Sequence, residues 1–412
     1  MKFVTRVVLL VIVLSGLISR ASADLREDIL RQAALRNGFA KPESLLLPFS
    51  HAKSDIGRRL FQSSLLSLNS DMSCQTCHLD QFASTDGLPN AVGVGGRGKG
   101  LPRLQSGGAI VPRNTLPLWG RGGKGFTTFF WDGKVEQMLS GHIQSQFGTE
   151  PPSTDPLTVA VHLPFVEIRE MVVDDERISK EYMTEDVAGA QKIYDLLTAR
   201  VQGDSLLVQD IMTAFAIERQ EITFRHIAES ITDFIRDCFR VRETKFHRFV
   251  FQGEPLSVPE QAGGLIFYGK GRCALCHTGP YLSDLKFHAI PFPQAGFGKN
   301  GFGIDYGRYN VTFDDRDLYR FRTPPLVNVA QTGPYSHSGS LISLEDAIRF
   351  HFDPLRFFDP TKHDLITRIE LYKRLATWTG NEWFVPILDD NELKELVWFL
   401  RTLSFEASCS AQ

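Results

Sequence analysis

The chain has 412 residues, a formal net charge of -3 and 42% hydrophobic residues, enough for two or three domains with real cores. So small a net charge gives no general attraction to nucleic acid or to an acidic membrane surface, and any docking must rely on local patches.

The first residues read as an export signal: Lys2 and Arg6, an apolar run from Val7 to Leu14, and Ala21-Ser22-Ala23 before Asp24. Residues 1-23 are therefore expected to be removed after about Ala23, delivering the protein to the periplasm. The apolar core is short for a bilayer span, although Leu17-Ile18 extends it and an uncleaved anchor is the alternative reading. Beyond it, Leu25 to Arg36 and Ile56 to Leu65 read as amphipathic helices covering the first chemical motif.

That motif is Cys74-Gln75-Thr76-Cys77-His78, and it returns as Cys273-Ala274-Leu275-Cys276-His277. In C-x-x-C-H the two thiols add to the vinyl groups of one haem and the adjacent His takes the iron. Surface turns, a redox dithiol or half a zinc site are the plain alternatives, and two full copies behind an export signal weigh against all three. Cys74, Cys77, Cys273 and Cys276 are thus expected to hold two covalent c-type haems, with His78 and His277 on the irons.

Between the motifs, Gly93 to Gly108 reads as a long flexible loop. The aromatic cluster Phe126 to Trp131 and the turn Trp131-Asp132-Gly133-Lys134 lead into a helix expected over Val135 to Ile143. A proline-bearing insert, Gly148 to Pro164, ends near Glu167, Glu170 and Met171. Helical patterns over Glu185 to Val201, Ser205 to Phe215 and Thr223 to Cys238 form a linker.

The second half repeats the first. Pro259 to Gly269 leads into Cys273 as Ile56 to Leu65 leads to Cys74, and Arg322-Thr323-Pro324 echoes Arg113-Asn114-Thr115. Asn391 to Leu403 closes the chain as an amphipathic helix. The reading is a mainly α protein of two tandem halves that look like a diverged duplication, over residues 24-240 and 241-412. Cys238 and Cys409 are left over; in an oxidising compartment they can pair, but their spacing alone does not show that they meet.

Ser73-Cys74 to His78, Phe130-Trp131-Asp132-Gly133, Phe321-Arg322-Thr323-Pro324 and Gly333-Pro334-Tyr335 through Leu341 occur in the order seen in the bacterial dihaem cytochrome c peroxidases and their MauG-type relatives, which this chain resembles from about Ile56 to its end. The resemblance implies a mainly α fold of two tandem cytochrome c-like lobes, each with one covalent c-type haem, an active site between them, an N-terminal haem that reacts with peroxide and a C-terminal haem that shares oxidising equivalents. It implies Glu170 as the catalytic carboxylate, with Glu167 the competitor, and Trp131 as a relay between the haems. Aligned with the family's distal glutamine is Gly141, with Gln137 and Gln144 nearby.

Two departures bear on subtype. The family's peroxidases keep a removable distal His in the loop after the first motif, and here none occurs between Leu79 and Gly141, although His142 follows. The second haem's axial partner, fourteen residues beyond His337, is His351, where the peroxidases have Met and MauG has Tyr; a bis-imidazole iron has the lower potential. His337 itself is read as support for that pocket. The family also binds calcium between the lobes, which would fall to Asn114, Thr332 and Pro334, oxygen donors suited to a hard cation.

The function implied is a periplasmic oxidoreductase that uses hydrogen peroxide to form high-valent haem iron and oxidise a residue of a secreted partner protein. One related branch, associated with methanobactin, converts a partner tryptophan to kynurenine. The alternative is a cytochrome c peroxidase fed by a small cytochrome or cupredoxin. A third reading is a dihaem cytochrome that only transfers electrons.

Overall fold

A computed structural model of the chain describes residues 25-173, 187-379 and 387-409; the expected leader lies outside them. Helix starts follow local capping chemistry. Helix α1 spans 25-36. Helix α2, His51–Gln62, begins where the Ser50 side chain accepts the Lys53 N–H. After α3, Pro156–His162, and α4, Val187–Gln202, helix α5, Ser205–Phe215, opens on Asp204, whose carboxylate accepts the N–H groups of Leu206 and Leu207. Such caps satisfy donors that a helix start leaves open. The remaining long helices are α6, Phe224–Cys238, α7, Lys245–Gln252, α8, Val258–Tyr268, α9, Leu344–Phe350, α10, Leu365–Ala376, and α11, Asp390–Arg401. No helix among the described residues is long and apolar enough to cross a membrane.

Each half is built on one tight helix crossing. A Cβ on Gly57 of α2 would collide with the Ser230 carbonyl of α6, and one on Gly263 of α8 would collide with the Glu395 carbonyl of α11. Both glycines lie on the helix that precedes a C-x-x-C-H motif. Only a residue without a side chain lets the backbones approach so closely, so the duplication read from the motifs extends to the packing.

The two cores do not divide at one point in the chain. The first gathers Ile56, Leu60, Trp119, Phe129, Leu197 and Phe234. The second gathers Phe246, Phe249, Phe267 and Phe399 around Leu30, Ala34 and Phe39 from the N-terminal segment. Helix α1 therefore does not cover the first motif, as its sequence position suggested; its apolar stripe is buried in the other lobe. The C-terminal tail crosses the opposite way. Ala407 lies in the first core, Phe405 meets Trp119 edge-on at 4.9 Å, and Cys409 is disulfide-bonded to Cys238 of α6 with Cα atoms 5.5 Å apart.

Two further expectations are corrected. Val135 to Ile143 is not helical: β2, Val135–Gln137, pairs antiparallel with β1, Thr128–Phe129, and with β3, Ile143–Gln144. Gly141 at φ +86° makes the turn, and β-branched Val135 and Ile143 are buried at the strand positions. The glycine-rich stretch from Gly93 to Gly108 is a pinned loop. Its buried Arg103 donates to the carbonyls of Val92, Gly93 and Gly96 at 2.7 Å each. The insert from Gly148 to Pro164 contains α3, which starts on Asp155 with Pro156 in its first turn.

Candidate active site

The first motif forms a single helical turn, Cys74–Cys77, that ends at His78. The imidazole Nδ1 of His78 lies 2.8 Å from the Ser84 carbonyl. A carbonyl can only accept, so Nδ1 carries the proton and Nε2 keeps its lone pair for a metal. Burial, the largest cause, lowers the His78 pKa to about 4, and the Arg121 cation adds to this; the ring is neutral at pH 7, as an iron ligand must be.

Cys74, Cys77 and His78 line a cavity with about 1300 Å³ of empty space, part of it open to solvent. Asn114, Trp131, Glu167, Glu170, Lys134 and Lys299 line it too, brought from four chain segments. Two vicinal thiols, a carbonyl-oriented imidazole and a roomy, largely apolar wall fit a covalently held haem. Among the described residues lining the cavity, His78 is the one histidine. His142 is exposed on the turn before β3, and Gln137, Gly141 and Gln144 also lie outside the lining.

Glu170 owes its place to the supposed flexible loop. The Val94 N–H donates to the Arg169 carbonyl at 3.1 Å, and a Cβ on Gly93 would strike that same carbonyl. The carboxyl group so held is desolvated. Burial raises its pKa to about 7; Lys134 works against the shift, and the neighbouring Glu167 carboxylate adds to it. Glu167 goes the other way. Burial opposes its charge, but the Lys134 ammonium, with which it is ion-paired, keeps it below the usual carboxylate range. Lys134 is a cavity residue that sequence reasoning left without a role, although it stands inside the Trp131-Asp132-Gly133-Lys134 turn.

Trp131 is buried at the cavity wall, with Nε1 donating to the Asn114 carbonyl at 3.0 Å. Its own carbonyl accepts the Arg322 N–H from the second half at 2.8 Å. The next residue, Asp132, pairs with buried Arg113, which also holds Asp305 at 2.8 Å. The turn is thus fastened to both lobes.

In the second half, the one-turn helix Cys273–Leu275 precedes Cys276 and His277, whose Nδ1 lies 3.0 Å from the Leu282 carbonyl. His351 ends α9 with Nδ1 2.7 Å from the Ala347 carbonyl. Burial lowers the His277 pKa to about 4, and His351 is the next largest cause, so the two imidazoles lie within electrostatic reach, each with Nε2 available. His337 is not placed as a ligand: its Nε2 meets the Gln294 side chain at 3.0 Å, and the ring stacks on Phe321 at 3.8 Å.

Of the three residues expected at calcium, two meet: the Asn114 side chain contacts the Pro334 carbonyl at 3.1 Å and the Leu88 carbonyl at 3.0 Å. Thr332, expected there through its backbone carbonyl, follows the short helical turn Val329–Gln331, and its hydroxyl donates to the Val329 carbonyl at 3.2 Å.

Comparison with known proteins bears on the family and the fold. The family model for di-haem cytochrome c peroxidase matches residues 51-255. The methylamine utilization protein MauG of Methylorubrum extorquens is 26% identical over 375 residues, 86% of this chain and 88% of that protein. The cytochrome c peroxidase Ccp of Escherichia coli is 24% identical over 319 residues, 76% of this chain and 56% of that longer protein. Two solved structures share the fold. A MauG-like protein associated with microbial copper homeostasis has a TM-score of 0.62 at 23% identity, with 89% of this chain and 92% of that one covered. The diheme peroxidase BthA of Burkholderia thailandensis has a TM-score of 0.63 at 18% identity, with 89% of each chain covered. The chain belongs to the di-haem cytochrome c peroxidase and MauG family of oxidoreductases, whose members carry two haem groups.

Proposed function

We propose that this is a MauG-like periplasmic enzyme: hydrogen peroxide is reduced in the first cavity, and the oxidising equivalents pass out to a residue of a secreted partner protein, a tryptophan being one such target. The observation that carries this reading is the cavity lining, in which His78 is the one histidine among the described residues. With no second imidazole there, a haem held by Cys74, Cys77 and His78 would be accessible to peroxide before any reduction. When bound covalently at each motif, haem supplies the iron that peroxide oxidises.

The chain supplies the rest. Glu170, with a pKa near 7, takes a proton from the near peroxide oxygen and returns it to the far one, so that water departs. Lys134 keeps Glu167 occupied, which leaves Glu170 able to hold that proton. Trp131, tied to Asn114 on one side and Arg322 on the other, holds an indole between the two haem sites as a relay. His277 and His351 would together hold the second haem iron, leaving that site closed to peroxide. Asn114 and Pro334, with Thr332, are proposed to hold a calcium ion that stiffens this wall.

A second reading, reduction of peroxide with electrons from a small cytochrome or cupredoxin, is favoured by the match to Ccp over 76% of the chain. Titrating the ferric protein with hydrogen peroxide, without reductant, separates the two. Oxidation of both haems, followed by optical and Mössbauer spectra, is the expected result. Reaction only after one haem has been reduced would overturn the MauG-like reading.

A further inference from the structure

Among the described residues, four cationic side chains line the first cavity: Arg113, Arg121, Lys134 and Lys299. Arg113 pairs with Asp132 and Asp305, and Lys134 pairs with Glu167. Arg121 donates to the Pro117 carbonyl at 2.6 Å and is the cation that acts on His78. Lys299 has neither an ion pair nor a hydrogen bond with any described residue.

Two facts place its ammonium. The residue is exposed, yet burial is the largest cause lowering its pKa, followed by repulsion from Lys134. A side chain that solvent can touch and that its surroundings still desolvate occupies the cavity rather than the outer surface. Glu167 and Asp132 favour its charged form, and Lys299 in turn favours the ionised form of Glu170. Lys299 therefore stands at the Glu170 end of the cavity, away from the imidazole of His78.

The second half carries it there on a short hairpin, in which Phe297–Gly298 pairs antiparallel with Gly301–Phe302. A Cβ on Gly298 would collide with the Ile304 carbonyl, so only a residue without a side chain lets the hairpin fold back so tightly. The Asn300 side chain accepts the Tyr306 N–H at 2.8 Å, and Asn90 of the first half donates to the Phe297 carbonyl at 3.4 Å. Asp305 accepts from Nε and Nη2 of Arg113 at 2.8 and 2.9 Å, which fastens the segment to the Asp132 turn.

Breaking the O–O bond of peroxide gathers negative charge on the far oxygen, and a donor already in place stabilises that charge without reorganising. The neutral donors of the lining are engaged: the Asn114 amide by the Leu88 and Pro334 carbonyls, the Trp131 indole by the Asn114 carbonyl, and the Thr115 hydroxyl by Asp86. We propose that Lys299 is a further catalytic residue of this cavity, its ammonium donating a hydrogen bond to the far oxygen as the O–O bond breaks. Lys299 keeps its own proton. The bonding pair goes with the far oxygen, which takes the proton carried by Glu170 and leaves as water. The near oxygen stays behind with the two oxidising equivalents that pass to the partner protein. The inference rests on the reading that peroxide is reduced in this cavity.

The test uses the matured ferric dihaem protein with K299M and K299R variants. Stopped-flow mixing gives the rate with hydrogen peroxide. Absorbance titration gives the fluoride affinity of the first haem, which involves no turnover, and spectroelectrochemistry gives its potential. K299M is expected to slow the peroxide reaction by about 10²-fold, the lower end of what one preset donor is worth, and to weaken fluoride binding in parallel. K299R, which keeps a cation and a donor, is expected to restore most of both. A wild-type rate in K299M with both haems attached would overturn the proposal. So would a lowered potential with unchanged fluoride affinity, because Lys299 would then hold a carboxylate of the haem instead. Should K299M not retain both haems, undiminished rate and fluoride affinity in K299Q, which lacks the charge, overturn it equally. Wild-type protein that consumes no peroxide at the first haem would instead sink the reading on which the proposal rests.

Discussion

Glu167 is ion-paired with Lys134, and that pairing leaves Glu170, three residues further on, as the cavity carboxyl group without a cation of its own. The two acids differ in the direction of their shifts, one below and one above the ordinary range. Replacing Glu170 by Gln is expected to slow reaction of the ferric protein with peroxide by about 10²- to 10⁴-fold, the usual worth of a positioned acid–base group. Stopped-flow rates at pH 7 check this. In Glu167→Gln the ammonium is released toward Glu170, and the inflection of the rate against pH moves below its wild-type position near 7.

Glu170 also imposes a pH dependence on stability. Its folded pKa, about 7 against an ordinary 4.5, means that the folded state binds the proton more tightly than the unfolded state. Its contribution is therefore greatest below pH 4.5 and is lost as pH rises to 7, at about 1.4 kcal/mol per unit. Denaturant unfolding of Glu170→Gln is expected to lack this loss and to exceed wild type in stability at pH 7.5. A variant that follows the wild-type profile would show that the group is solvated.

The proposed role of His351 at the second site is open to direct test. His351→Ala is expected to convert that haem from low-spin to high-spin in EPR spectra while the first haem is unaffected. His351→Met is expected to raise its potential, because a thioether favours the ferrous state. An unaltered low-spin signal in the alanine variant would remove His351 from the iron.

Trp131→Phe keeps an aromatic ring in the wall but loses the donor to Asn114. Peroxide consumption at the first haem should persist, while oxidation of the second slows. Rapid-mixing spectra that resolve the two haems decide whether the indole is the path.

The Cys238–Cys409 bridge closes a loop of 171 residues. Its removal in a Cys238→Ala, Cys409→Ala double variant is expected to cost about 2–5 kcal/mol, read as a lower denaturation midpoint. Because Cys238 is on the helix whose Ile231 and Ile235 line the first cavity, any spectral change is expected at the first haem and not at the second.

What the sequence made legible was the chemistry that is local in the chain. The two C-x-x-C-H motifs hold ligands at adjacent positions, and Ser205 to Phe215 is a helix whose caps and apolar period coincide. What it hid was set by distant partners. Nothing near Gly93 announces that its missing side chain makes room for Arg169, so a fitted loop looked like a flexible one. The strands at Val135 and Ile143 are too short for a period-2 pattern to outweigh a helical one. Lys134 stood inside a quoted motif and went without a role, because a charge shows its purpose only when its neighbours are known.

The exchanged chain ends carry a last consequence. Residues 25-39 complete the second core and residues 405-409 complete the first, so each half borrows a piece that the other half's sequence supplies. A cut near residue 240 would leave Leu30, Ala34 and Phe39 stranded on one fragment and the matching hydrophobic gap on the other. Neither half can therefore shift or part from the other without exposing apolar surface of its own core.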